Sequence, residues 1–232
     1  MAELTVYSSI GVRSAAEDLF RIFETSSAHK LTVTWGTAPM LVKRIEGGES
    51  ADVLILSRAG MDSLVKQGKV VAGSDVMLAG SGVAIAVKAG APKPDISTPD
   101  ALKQALLNCE SIAYSEPSAG GASGVYFAKL LERMGIAEAM KRKTKYPPAG
   151  GFSAALLMSG EAELAVQQKP ELLHVAGAEI VGFLPGELNL VTEFAAGITP
   201  GCKNADTGKE LIAFLRTPNA KATFQAKGLE PS

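Results

Sequence analysis

The sequence predicts an α/β protein built on a mainly parallel sheet, and three observations carry the prediction. Between residues 4 and 65, three apolar, β-rich runs alternate with three helical patterns, which calls for parallel strands with right-handed crossovers. Each of those strands ends in hydroxyls or glycine: Ser8 and Ser9, Gly36 and Thr37, then Ser57. The chain has 232 residues, 47% hydrophobic and 20% charged, enough for one large or two small domains with a sizeable core.

Residues 4–7 form the first strand, and Ala15, Ala16, Leu19, Phe20 and Phe23 then fall on one face of a helix. Residues 31–35 are the second strand; after the Gly36–Thr37 turn, Met40, Leu41 and Ile45 mark a short helix. The third strand, 51–56, is closed by Ser57, and Met61, Leu64 and Val65 lie on the helix that follows. After Gly80 the pattern changes. A strand over 83–87 precedes Pro92 and Pro94, and Thr98 and Pro99 supply the cap and first position of a helix. Residues 111–114 are a strand running into a Ser- and Gly-rich loop, then a helix with Val125, Leu130, Leu131 and Met134 on its apolar face. The basic run Lys141, Arg142, Lys143 and Lys145 reads as a solvated helix end. A helix over 152–158, strands over 162–166 and near 179–181, a return crossing over 192–198 and helices over 207–215 and 218–225 complete the chain.

Composition narrows the function. The net charge is −1 with both signs mixed along the chain, unlike the clustered basic face of a nucleic-acid binder. No apolar run approaches a membrane span. The N-terminus has neither a basic nor an apolar leader region, so two locations follow: periplasmic if this is a mature export product, cytoplasmic if Met1 is the native start. Cys109 and Cys202 are distant in sequence, and two isolated thiols are expected. Neither lies at ligand spacing from His29 or His174, so no metal site, cofactor or Cys–His nucleophile is expected.

Residues 115–134 are the most informative stretch. Small residues at a helix entry let a ligand approach the backbone, and the first N–H groups of a helix have no intrahelical partners. With the helix dipole they make an anion site. The plain alternative is a Gly-rich connector with Ser123 as a helix cap. In open α/β sheets ligands bind beyond the carboxyl ends of strands, so the loops after Ser8–Ser9, Gly36–Thr37 and Ser57 should also converge on a site.

The whole chain resembles the molybdate-binding-protein branch of the type II periplasmic binding proteins. The resemblance rests on several pieces in order. They are the small-residue loop after the first strand, residues 36–41 (Gly-Thr-Ala-Pro-Met-Leu) and 44–53 (Arg-Ile-Glu-Gly-Gly-Glu-Ser-Ala-Asp-Val), and Gly124-Val-Tyr126 opening a helix. Residues 154–163 and 213–220 extend the pattern. The resemblance implies two α/β domains with mixed, mainly parallel sheets, 1–80 with 195–232 and 81–194, joined by two crossing strands, with an anion held in the cleft between them. It further implies a monomeric receptor that meets a membrane-bound ABC transporter.

The departures from that family bear on the ligand. Its molybdate sites use a serine in the first loop where this chain has Gly11, followed by Val12 and Arg13. The serine pair of the second loop becomes Thr37 and Ala38, a family tyrosine is replaced by Gln167, and a family alanine at the helix entry aligns with Ser123. A tetrahedral oxyanion held by neutral groups needs no arginine; Arg13 favours a planar carboxylate gripped through a bidentate fork, and Gln167 can donate to one as well. The expected ligand groups are Ser8, Ser9, Gly11, Arg13, Thr37, Ala38, Ser57, Ser118, Gly121, Ser123, Phe152 and Gln167. The leading expectation is a solute-binding protein for a small (tri)carboxylate rather than molybdate. Two alternatives stand beside it: a molybdate or tungstate transport receptor, and an isomerase of the aconitate isomerase kind, since certain bacterial aconitate isomerases resemble this branch. For the enzyme, Glu116 and Tyr126 are the candidate proton carriers.

Overall fold

In the computed structural model, which describes residues 2–119, 121–148 and 150–232, strands and helices alternate along most of the chain. Met1, on which the choice of location turned, Gly120 of the 115–134 stretch and Ala149 lie outside the described residues. In chain order the elements are β1 (Glu3–Ser9), α1 (Arg13–Ser27), β2 (Lys30–Gly36), α2 (Ala38–Glu46), β3 (Val53–Ser57), α3 (Arg58–Lys66) and β4 (Val76–Lys88). Then come α4 (Pro99–Asn108), β5 (Ile112–Tyr114), α5 (Ala122–Arg133), α6 (Ala137–Lys141), β6 (Thr144–Lys145), α7 (Ala155–Met158), β7 (Leu164–Gln168), α8 (Lys169–Leu173) and β8 (Ala178–Phe183). The chain closes with β9 (Val191–Ile198), α9 (Ala205–Phe214), α10 (Pro218–Ala226) and β10 (Glu230–Pro231). Two compact units result, Met1–Gly80 with Thr192–Ser232, and Ser81–Val191; β4 supplies its first part to one and the remainder to the other.

In unit 1 the strand order is β2-β1-β3-β9-β4, with β1 parallel to β2 and β3, and β9 antiparallel to β3. The two-residue period of the strands divides the core. Leu4, Val6, Val53 and Ile55 face a cluster containing Phe20 and Phe23 of α1, Leu211 of α9 and Phe224 of α10. Tyr7, Leu54 and Leu56 face the other way, toward Leu41 and Ile45 of α2 and Met61 and Leu64 of α3. A sheet covered on both faces explains why its central strand β3 is buried from Val53 to Leu56 rather than alternating with solvent.

Unit 2 repeats the plan. β4 pairs antiparallel with β7 and β8, β7 lies parallel to β5, and β5 is parallel to β6. Val83, Ile85, Ile112, Tyr114, Leu164 and Val166 pack against α4, α5 and α6, while Ala84, Ala86, Ala113 and Ala165 pack against α7 and α8. Small residues on the second face let the short helices approach closely.

Three sequence-based expectations change, and three short elements are added. The strand over 83–87 is the second half of the longer β4, whose middle, Gly80, Ser81 and Gly82, breaks the apolar pattern without breaking the strand. The helix over 152–158 shortens to Ala155–Met158, because Ser153 turns inward to bond β7. The basic run is not wholly solvated: Lys143 Nζ donates to the carbonyls of Leu107, at 2.5 Å, and Cys109, at 2.7 Å. The short elements α6, β6 and β10 have too few residues to show a period.

Candidate functional site

Unit 1 presents one polar sheet edge. Because β1, β2 and β3 are parallel, their carboxyl ends lie together; Ser9 is the register partner of Gly36, and Ser8 partners Trp35 and Ile55. Three hydroxyls at this edge accept the backbone N–H groups of helix starts: Ser9 from Gly11, Thr37 from Met40 and Ser57 from Gly60, each at 3.4 Å. Accepting uses a lone pair, so each hydroxyl keeps its own proton to donate, and no acceptor for it occurs among the described residues. Ser8 is fully buried and its Oγ has no hydrogen-bond partner among the described residues; the same holds for the buried Oγ of Ser14, in the first turn of α1. Hydroxyl donors backed by the positive ends of α1, α2 and α3 suit an anion. Gly11 is buried in the 3-10 turn Ile10–Val12 before α1, and Ala38 is the first residue of α2.

Arg13 begins α1 with its side chain 41% exposed. Its Nε meets Glu17 Oε1 at 2.7 Å, and the guanidinium lies 5.4 Å from the centre of the Trp35 ring. The pair and the ring hold the group in place, while the two terminal nitrogens carry no hydrogen bond among the described residues. That edge is the one a carboxylate fork requires.

In unit 2 the parallel pairing of Tyr114 with Val166 puts Ser115, just past the end of β5, level with Gln167 near the end of β7. Helix α5 starts from Gly121, which is extended at φ −67° and ψ 129° and offers no side-chain cap. The first amides of α5 therefore keep their donors. Ser123 is not the cap: it sits in the first turn, 4% exposed, because the helix begins at Ala122. Gly124 admits no side chain, since a Cβ would lie 2.1 Å from the Ser115 carbonyl oxygen. The strand exit and the helix start thus touch through bare backbone. Ser118 is exposed in the 3-10 turn Pro117–Ala119, and Glu116 is exposed just before it.

Gln167, only 1% exposed, has its amide committed inside unit 2. Its Oε1 accepts the Ser153 N–H at 2.7 Å and the Ser153 hydroxyl at 2.9 Å. A backbone N–H can only donate, so the amide orientation is fixed, and Nε2 turns to the Gly151 carbonyl at 3.4 Å and to the Glu171 carboxyl. A direct ligand contact from Gln167 would cost one of these bonds. Phe152, between the two loop residues that Gln167 holds, stacks on His174 with ring centres 4.5 Å apart. Tyr126 donates its hydroxyl proton to the Leu188 carbonyl at 2.9 Å, which ties it to the core of unit 2.

Glu171 and Ser153 are the polar residues that sequence reasoning passed over. Ser153 is fully buried, and Glu171 is 7% exposed with no charged partner among the described residues. Burial pushes the Glu171 carboxyl up to about 7, although the Gln168 N–H and the Gln167 amide both favour its ionised form. The signal available in the sequence was Glu171 at the third position after Gln168, the spacing of a surface capping box; burial of that turn is a tertiary fact. Cys109 and Cys202 are free thiols, and the described residues hold no cluster of three or more His, Cys, Asp or Glu suited to a metal.

Residues 4–230 match the bacterial extracellular solute-binding proteins. The chain belongs to that family. An aconitate isomerase from a Pseudomonas species is 33% identical over 98% of this chain and 87% of its own length. Among solved structures, the periplasmic molybdate-binding protein of Azotobacter vinelandii superposes with a TM-score of 0.76 at 19% identity, over 97% of this chain and 98% of the other. The sulfate-binding protein SubI of Mycobacterium tuberculosis superposes at 0.74 with 17% identity, over 100% of this chain and 87% of the other. These structures establish the periplasmic-binding-protein fold for this solute-binding protein. Within that fold the polar edges lie at the carboxyl ends of parallel strands in each unit, where α/β sheets bind ligands. No helix among the described residues is long and apolar enough to cross a membrane.

Proposed function

We propose that this solute-binding protein holds a small polycarboxylate of the aconitate kind; the candidate groups are the hydroxyl edge and Arg13 in unit 1 and, taken by itself, the α5 entry in unit 2. One observation carries the ligand class: the 33% identity to an aconitate isomerase runs over nearly the whole chain, whereas the oxyanion-binding structures share the fold at 17–19%. The site chemistry agrees. Unclaimed hydroxyl protons and helix amides stabilise negative charge, and the terminal nitrogens of Arg13 match a planar carboxylate. The candidate ligand groups are Ser8, Ser9, Gly11, Arg13, Thr37, Ala38 and Ser57 in unit 1, and Ser118, Gly121, Ser123 and Phe152 in unit 2. Gln167 acts by fixing the loop that carries Ser153. As a receptor the protein works outside the cytoplasm and hands its ligand to an ABC transporter. The test is ligand-dependent thermal stability. A ligand present at a hundred times its Kd stabilises the folded protein by about 2.7 kcal/mol, so trans-aconitate, cis-aconitate or citrate raises Tm while molybdate leaves it unchanged. A rise with molybdate alone overturns the reading.

The same relative favours a second reading, isomerisation of the bound tricarboxylate. A proton leaves one carbon of the allylic system and another is delivered at its far end as the double bond moves, which requires a proton carrier at the substrate. Of the two candidates, Tyr126 has its hydroxyl engaged with Leu188, and Glu116 is exposed in its loop. Proton NMR of cis-aconitate with concentrated protein decides this reading: conversion to the trans isomer supports it, and an unchanged spectrum removes it.

A further inference from the structure

The end of β7 and the first turn of α8 hold a buried carboxyl whose neighbours are amides. Glu171 accepts the Gln168 N–H at 3.4 Å and bonds the Gln167 amide, which in turn grips Ser153 through its N–H and its hydroxyl. No cation among the described residues neutralises it. Of the charged and titratable groups on α8 and on the strands packed against it, Lys169 lies over the Phe183 ring at 5.2 Å, His174 stacks on Phe152, and Glu179 pairs with Lys93 at 2.7 Å; β7 itself contributes none. Gln168 and Glu171 stand at the spacing of a capping box, with both residues buried. A protonated carboxyl here removes an uncompensated buried charge. The loop that Gln167 holds carries Ser153 and Phe152, and Gln167 itself lies level with Ser115, which leads into the α5 entry where an anion is proposed to bind.

We propose that Glu171 is a positioning residue of the anion site, acting through Gln167 and Ser153, and that the protein takes up a proton on Glu171 when the anion binds. The inference rests on the polyanion-binding reading above. The coupling follows from charge. An anion brought to the loops at the end of β7 disfavours a second negative charge buried beneath them, so the occupied protein prefers neutral Glu171. By linkage, whatever the anion does to the proton, the proton does to the anion. The bare site has its carboxyl poised near pH 7, where such a coupling is felt at neutral pH.

The test is calorimetric titration of the full chain with trans-aconitate between pH 6 and 9, in buffers of different ionisation enthalpy, for the wild type and Glu171→Gln. The wild type is expected to absorb up to one proton per bound anion, with affinity falling about tenfold per pH unit above the carboxyl's titration point. Glu171→Gln, a permanent neutral mimic, is expected to bind at the wild type's low-pH affinity throughout and to lack that proton. Because the ligand's own ionisation is common to both proteins, an equal proton count in the two overturns the proposal while leaving anion binding intact. Absence of binding in both overturns the ligand reading and this inference with it. If Glu171→Gln fails to fold, infrared spectroscopy of the wild type near pH 7 gives the same test: trans-aconitate must strengthen a protonated-carboxyl band, and an unchanged band contradicts the proposal.

Discussion

At the residue scale the unusual groups are those whose hydrogen-bonding capacity the fold leaves unfilled or unbalanced: Ser8 Oγ and the Glu171 carboxyl. Glu171 makes a stability prediction with a definite sign. Its folded titration point, about 7, lies above its ordinary value of 4.5, so the folded protein holds a proton that the unfolded chain releases. The stabilisation is complete below about 4.5 and is lost as pH rises toward 7, a change on the order of 3 kcal/mol. Chemical denaturation across this window is expected to show Glu171→Gln with a correspondingly flatter profile, and equal slopes for both proteins would contradict the burial argument. Arg13 makes a prediction about binding. Because its side chain is 41% exposed, removing its fork should weaken a polycarboxylate by only about 1–2 kcal/mol. Arg13→Ala measured by calorimetry should show that loss, and unchanged affinity would take Arg13 out of the site. The hydroxyls were visible in the sequence as strand-end residues. The Glu171–Gln167–Ser153 chain was not, because residues 153 and 167 meet only through the pairing of a loop with a strand end.

At the element scale, the three βα units of unit 1 were legible because each strand is an apolar run, each helix is long enough to show its period, and a hydroxyl stands at each strand-to-helix turn. The entry of α5 was legible as Gly-rich, but its cap was misplaced: Ser123 has the chemistry of a cap, whereas the backbone turns at Gly121. The reason is steric. Gly124 must sit against the Ser115 carbonyl, and that contact fixes where the helix can start. Gly124→Ala would bring a methyl to 2.1 Å from that oxygen, so it should destabilise unit 2 by at least about 2 kcal/mol as β5 and α5 move apart. Urea denaturation checks this, and a variant as stable as wild type would show that the contact is not enforced. The strand β4 was half-read for a related reason: Gly80, Ser81 and Gly82 look like a break, yet Gly82 is sheathed by Phe183 and Asn189, and its missing side chain is what lets them approach.

At the scale of the whole molecule, fold and ligand stand on different ground. The fold follows from alternation of strands and helices and from membership of the extracellular solute-binding family, and the molybdate- and sulfate-binding structures share it at identities too low to pass on a ligand. The ligand is argued from the residues that depart from those proteins, Gly11, Arg13 and Thr37 among them, and from the near full-length likeness to an aconitate isomerase. The proposed ligand groups lie at or beyond the strand ends with the cores behind them, so substitution at a few of these positions is expected to change which anion is held without disturbing either sheet. The central claim is that this protein holds a polycarboxylate and not a tetrahedral oxyanion. Isothermal titration with trans-aconitate and, separately, with molybdate tests it most directly: saturable binding of trans-aconitate with no heat from molybdate is the predicted result, and saturable binding of molybdate with none of trans-aconitate would contradict it.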